Sequence, residues 1–273
     1  MTASTLRHRA TCATLVALLA ACDGAQGSGA GDVGVDTAAL RAADSANAPY
    51  KARVDEGLGA SVAILIDNSG SMWQTAPGDS RVKYVVAREA VEQMLRATEE
   101  IIRERPDFPV NVGIYRFSDG VATVLPMQRY DRQKVRAALR TMPQPEGKTA
   151  IGDGMDQARH ELYGAGTFRK YILVLTDGEN THGRPPDEVA REIARRGQGA
   201  VQTYFVAFDT DPATFGFLKE TGGDVLAARG GAELRRALAE VYRGKILAEA
   251  ADYGEGAPPA ATNSATTPEA RQR

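Results

Sequence analysis

Sulfur, imidazole and indole are scarce in this chain. Its 273 residues include 2 cysteines, 3 histidines and 1 tryptophan. Cys12 lies in an N-terminal apolar stretch that reads as a removable leader. Without it only Cys22 remains, which excludes a disulfide within the mature chain and a cluster of thiolate metal ligands. The histidines are His8, His160 and His182. None has metal-ligand spacing, so an imidazole-based zinc site is excluded as well. An excess of charge is also missing: 33 Lys and Arg face 35 Asp and Glu, for a formal net charge of −2. With no basic patch, nucleic acid is not an expected partner. The apolar stretch Ala10 to Ala21 is shorter than the roughly 20 residues that a membrane-spanning helix needs.

That stretch follows Arg7, His8 and Arg9 and ends in Leu19-Ala20-Ala21-Cys22. A basic start, a short apolar core and small residues before a cut form the signal-peptide pattern. The ending resembles the lipobox of bacterial lipoproteins. The resemblance implies that residues 1–21 are removed and that Cys22 is lipidated as the first mature residue. Removal takes away two arginines and no acidic residue, so the formal charge becomes −4 (−2 − 2). The expected location is the bacterial cell envelope, lipid-anchored at the periplasm-facing inner membrane or at the outer membrane. Residues 22–57 are rich in Gly, Ala, Ser and Asp and read as a flexible linker, with a random-coil span of roughly 30 Å. Residues 249–273 read as a disordered tail. Between them lies one domain, residues 58–248, long enough to rely on its own core without disulfides. It is expected to be monomeric.

Strands and helices alternate along this domain. Ser61 to Ile66 and Lys170 to Leu175 are apolar runs that suit strands buried on both faces of a mostly parallel sheet. The segments 110–117, 121–125, 201–208 and 225–228 read as further strands, the first two as a hairpin around Ser118-Asp119-Gly120. Helical spacing predicts helices over 82–103, 132–142, 151–163, 187–196, 213–220 and 232–247. The fold class is therefore α/β: a doubly wound, mostly parallel six-stranded sheet with one short antiparallel edge strand and helices on both faces. Such sheets bind ligands at the carboxyl ends of their central strands.

Asp67-Asn68-Ser69-Gly70-Ser71 follows the first apolar strand, so a carboxylate and two hydroxyls occupy alternate positions at that end. Hard oxygens of this kind suit Mg²⁺, Mn²⁺ or Ca²⁺. Thr149 lies in the loop Pro145-Glu146-Gly147-Lys148-Thr149-Ala150, and Asp177 lies in Thr176-Asp177-Gly178-Glu179 after the second apolar strand. If those strands are neighbours, Asp67 and Asp177 end side by side. Together the three segments resemble von Willebrand factor type A domains with a metal-ion-dependent adhesion site, over about residues 58–247. The resemblance implies that Ser69 and Ser71 coordinate the metal through their hydroxyls. It implies that Thr149 binds directly or through water, and that Asp67 and Asp177 act mainly through waters and hydrogen bonds. The metal is expected to be Mg²⁺, with Mn²⁺ or Ca²⁺ as alternatives. The sixth position goes to water or to an Asp or Glu of a protein partner.

Trp73 is a candidate contact on the rim of this site, since tryptophan is common at binding hot spots; the alternative is that it packs on the domain beside the first loop. Glu179 is expected at the surface or just behind the metal ligands, and His160 and His182 as ordinary helix or loop residues. Gly152-Asp153-Gly154 neither follows a strand nor reaches a third glycine at the required place, which excludes a dinucleotide fingerprint. No nucleophile–base pair accompanies the cluster, so the expected function is a non-enzymatic, metal-dependent protein-binding module. Two alternatives remain. One is a scaffold in which the metal only stabilises the loops. The other is a phosphohydrolase with Asp67 as nucleophile and Lys148 or Lys170 as its lysine.

Overall fold

The computed structural model describes residues 55–197 and 199–248. The leader, Cys22, most of the linker and the tail lie outside the described residues. Six strands form one sheet: β1 (Gly57–Asp67), β2 (Val110–Phe117), β3 (Val121–Arg129), β4 (Thr167–Thr176), β5 (Val201–Phe208) and β6 (Asp224–Ala228). Their spatial order is β3-β2-β1-β4-β5-β6. Every pair is parallel except β2–β3.

β1 and β4 lie at the centre, with Ile64 opposite Leu173 and Ile66 opposite Leu175. Alternation along β1 sends Val62, Ile64 and Ile66 into one apolar core and Ala63 and Leu65 into the other. The first core is closed by α1 (Lys83–Leu95), α2 (Ala97–Glu104), α3 (Arg132–Arg140) and α6 (Gly231–Ala239). The second is closed by α4 (Ile151–Leu162) and α5 (Pro186–Gly197). Because both faces of the sheet are covered, its central strands are continuous apolar runs. After β1 the chain builds β2 and β3 on one side, then returns to build β4 to β6 on the other. The gap between the ends of β1 and β4 is thus the topological switch point of the sheet.

Four expectations need correction. The helix expected over 82–103 is two helices that turn at Arg96, whose N–H bonds to the Gln93 and Met94 carbonyls. The turn brings Thr98 into the core, where its hydroxyl bonds Tyr242 Oη at 2.7 Å. The segment expected as helix 213–220 is a 3₁₀ segment, Pro212–Thr221, kinked at Phe215. Phe215 is buried against Phe205, 5.0 Å between ring centroids. The helix expected over 232–247 is α6 followed by a π-helical segment, Glu240–Leu247. Finally, the antiparallel edge strand is not short, because β3 runs on through Pro126 to Arg129. Proline is tolerated there because an edge strand has one side with no ladder partner to donate to.

Candidate metal centre

Asp67 is the last residue of β1, and its side chain is fully buried. Ser69 N donates to its Oδ1 at 2.8 Å, and Thr176 Oγ1, at the end of β4, donates to its Oδ2 at 2.6 Å. Burial pushes the carboxyl up to about 6. The hydrogen bonds from Ser69 and Thr176 oppose that rise, and the charge of Asp177 adds to it.

After Asn68 the chain enters a single 3₁₀ turn, Gly70–Trp73, held by Met72 N to Ser69 O at 3.1 Å. Met72 is fully buried in the core and anchors this turn. Ser71 Oγ donates to Asp177 Oδ1 at 2.6 Å, and Ser69 Oγ lies 3.0 Å from Ser71 Oγ. A hydroxyl has one proton to give, so with Ser71 donating to Asp177 it is Ser69 that donates between the two serines. Asp67, Ser69, Ser71, Thr176 and Asp177 therefore form one hydrogen-bonded set across the β1 and β4 ends.

The Thr149 loop is laced to the same turn. Gly70 N donates to Gly147 O at 3.1 Å, and Glu146 N donates to Asn68 O at 2.9 Å. Gly147 has a φ of +79°, and a Cβ there would meet Asp119 Oδ2 at 2.4 Å. Glycine adopts this φ without strain and leaves the Asp119 carboxylate in place. Thr149 N takes a 2.9 Å hydrogen bond to Thr181 Oγ1, while Thr149 O accepts from Thr181 N and His182 N. Asn180 Oδ1 accepts from Ile151 N at 2.7 Å at the start of α4. The loop that carries Thr149 is therefore fixed from two sides.

The donor set fits a small hard cation. Cis oxygens of an octahedron with bonds of about 2.0–2.1 Å lie about 2.9 Å apart, and the two serine hydroxyls are 3.0 Å apart. Among the described residues no group of three or more His, Cys, Asp and Glu side chains could hold a metal, so the hydroxyls are essential to the set. Ser69, Ser71 and Thr149 would supply hydroxyl oxygens, and Asp67 and Asp177 the charge.

Two residues beside the set escaped sequence reasoning. Lys83, the first residue of α1, is almost completely buried, with Nζ 2.9 Å from Asp177 Oδ2 and 2.8 Å from Asp209 Oδ2. Burial works against its charge, but Asp209 and Asp177 overcome it and raise the lysine's affinity for its proton. The single sequence hint was a cation in the first turn of a helix, where the macrodipole disfavours it. Asp209, just after β5, is the one non-glycine residue with positive φ (55°) among the described residues.

Trp73 is 48% exposed and stacks on Tyr84, with ring centroids 5.5 Å apart. Glu179, His160 and His182 are exposed. Asp153 accepts a hydrogen bond from Arg184 N, and Asp156 pairs with Arg159 and Arg184, so both brace the α4–α5 side. Lys170 is buried at the opposite end of β4, bonded to Glu56 and the Thr167 carbonyl, and is not brought to Asp67.

Residues 62–179 match the family model described as the von Willebrand factor type A domain. A curated relative, the uncharacterized protein YwmC of Bacillus subtilis, is 27% identical over 145 residues, which are 50% of this chain and 62% of that protein. Solved structures share the fold at low identity. The PilB minor pilin of Streptococcus sanguinis superposes with a TM-score of 0.57 at 15% identity, over 75% of this chain and 64% of that one. BatB of Bacteroides thetaiotaomicron gives 0.54 at 18%, over 71% and 100%. A mussel byssus matrix protein with a zinc-occupied MIDAS motif gives 0.54 at 20%, over 72% and 48%. This chain thus spans less than two thirds of the curated relative and of the pilin. The described sheet and its flanking helices have the type A fold.

Proposed function

We propose that this chain, which carries a von Willebrand factor type A domain, is a metal-dependent protein-binding module. Ser69, Ser71, Thr149, Asp67 and Asp177 hold a divalent cation, Mg²⁺ in the first instance. The observation that carries this reading is the 3.0 Å spacing of the Ser69 and Ser71 hydroxyls, beside Asp67 and Asp177, at the switch point of the sheet. When bound, the metal supplies a Lewis-acidic position for an oxygen ligand. The chain's own residues set its charge and direction. Ser71 gives its proton to Asp177, which leaves its Oγ with lone pairs alone to offer. Thr176 holds Asp67 in place, and the Gly147 loop holds Thr149. Two carboxylates balance a divalent ion without surplus negative charge, so an Asp or Glu of a protein partner completes the site. Exposed Trp73, stacked on Tyr84, offers that partner an aromatic contact at the rim.

We propose further that Cys22, in the segment that resembles a lipobox, tethers this module at the envelope surface. Among the described residues no helix is long and apolar enough to cross a membrane. Two of the similar structures are a minor pilin and an aerotolerance-related membrane protein of Bacteroides fragilis, which accords with an envelope role.

Calorimetric titration of Mn²⁺ and Mg²⁺ into wild type and into the Asp67→Ala, Ser69→Ala double variant tests the site. The wild type is expected to bind one ion and the variant none. Pull-down from envelope extracts, with and without EDTA, tests the capture of a partner. Recovery that survives both EDTA and the double variant would sink the binding-module reading.

A further inference from the structure

We propose that Lys83 is a built-in counter-ion of the metal centre. It holds Asp177 and Asp209 together when no metal is bound, and it weakens the grip of the site on a divalent cation. The proposal rests on the reading that Asp67, Ser69, Ser71, Thr149 and Asp177 hold such an ion.

The ammonium group is tied on three sides. It lies 2.9 Å from Asp177 Oδ2, 2.8 Å from Asp209 Oδ2 and 3.5 Å from Gln74 Oε1. An ammonium has three protons, so these acceptors account for all of them. The Lys83 side chain is 4% exposed, so solvent screens the charge poorly. A buried ammonium is costly unless it is paired, which marks this arrangement as built rather than incidental.

Asp177 has both oxygens engaged, Oδ1 by the Ser71 hydroxyl and Oδ2 by Lys83. Lys83 thus withholds one oxygen of Asp177 from a metal and fixes the other toward Ser71. Asp209 is a second, independent sign. Its backbone has left-handed φ of 55°, a conformation that costs free energy for a residue with a Cβ, and Asp209 N is held to Ala228 O at 2.7 Å. The strained residue is the one whose carboxylate reaches Lys83. The loop after β5 is thereby linked to the β1–β4 site through one lysine.

The charges decide the direction. Lys83 stands one carboxylate away from the metal-binding hydroxyls and repels a divalent cation. In its absence Asp177 and Asp209 need another positive charge, and the metal is the one at hand. Removing the lysine charge is therefore expected to tighten divalent binding by about tenfold or more. It should also make the domain depend on metal for stability, since it leaves the buried Asp177 carboxylate without its ammonium partner.

The experiment uses the full chain as wild type, Lys83→Met, Lys83→Arg and Asp209→Asn. Mn²⁺ affinity is measured by calorimetry, and Tm is measured in EDTA and in saturating Mn²⁺. Lys83→Met should melt lower than wild type in EDTA, bind Mn²⁺ about tenfold more tightly, and regain most of its lost Tm with the ion. Lys83→Arg should remain near wild type in both readouts. Asp209→Asn, which keeps the lysine and removes a negative charge, should bind Mn²⁺ about threefold more weakly. It answers the question if Lys83→Met does not fold. Unchanged Mn²⁺ affinity in Lys83→Met, or in Asp209→Asn if Lys83→Met does not fold, overturns the counter-ion role and leaves the metal site standing. Equal loss of Tm with and without Mn²⁺ overturns it too. No Mn²⁺ binding by any of the four proteins overturns both readings.

Discussion

Thr176 Oγ1 donates a 2.6 Å hydrogen bond to Asp67 Oδ2, tying the ends of the two central strands together. Strand pairing brings these residues together, since β1 and β4 run in register up to Ile66 opposite Leu175. The bond satisfies one oxygen of a buried carboxylate and supports the residue on which the candidate metal-binding turn begins. Thr176→Val keeps the shape and removes the donor. It is expected to destabilise the domain by about 1–3 kcal/mol and to weaken Mn²⁺ binding, as read by urea denaturation and calorimetry. An unchanged denaturation midpoint would show that the bond contributes nothing.

Asp67 gives the metal-free domain a pH dependence with a definite sign. Its carboxyl is raised from an ordinary 3.8 to about 6 by burial. A raised folded value favours the protonated form, so this contribution is fully present below about pH 4 and is lost as pH rises through about 6. Its size is about 3 kcal/mol at roughly 1.4 kcal/mol per pH unit. In EDTA, wild type should therefore lose stability between about pH 4 and pH 7 relative to Asp67→Asn, which cannot ionise there. Mg²⁺ should reverse the trend, because the ion favours the ionised carboxylate, and metal affinity should fall below about pH 6. Parallel stability profiles for the two proteins in EDTA would contradict this.

Gly147→Ala should damage the site more than the fold. The residue has positive φ, and a Cβ would lie within 2.4 Å of Asp119 Oδ2. The Asp119 carboxylate must give way, which disturbs its hydrogen bond from Lys148 N, and the positive φ strains the loop between Gly70 N and Thr149. The expected stability cost is about 1–3 kcal/mol, with loss of Mn²⁺ affinity of at least tenfold. Wild-type affinity in this variant would show that the loop does not position Thr149.

The single tryptophan is a natural reporter. Trp73 ends the turn that carries Ser71 and stacks on Tyr84, the neighbour of Lys83. Emission from Trp73 should change on titration with Mg²⁺, with a midpoint that matches calorimetry, and the change should vanish in the Asp67→Ala, Ser69→Ala variant. Flat emission where calorimetry shows saturation would separate the ring from the site.

Much of the architecture was legible because burial dictates composition. The runs Val62 to Ile66 and Tyr171 to Leu175 are unbroken by charge because both faces of the sheet are covered, and they became the two central strands. The strands over 110–117 and 201–208 have the bounds that their pattern predicts. Asp67, Ser69, Ser71, Thr149 and Asp177 could be picked out because they sit in short loops whose residue order is local. The structure ties the three loops together by hydrogen bonds. The turn at Arg96, the kink at Phe215 and the π-helical segment were not legible. Each depends on contacts from elsewhere in the chain, such as Thr98 with Tyr242 and Phe205 with Phe215.

The sequence by itself determined the alternation of strands and helices, the apolar centre of the sheet and the oxygen-bearing loops at its edge, because periodicity and local turn chemistry are properties of neighbouring residues. The tertiary structure decided what surrounds those loops. Lys83 and Asp209 lie 126 positions apart (209 − 83), and nothing local to either announces the other. They meet because α1 packs against the core below the β1 end and because β5 delivers Asp209 to the same edge. The electrostatic balance of the site is therefore set by packing, which no single segment encodes.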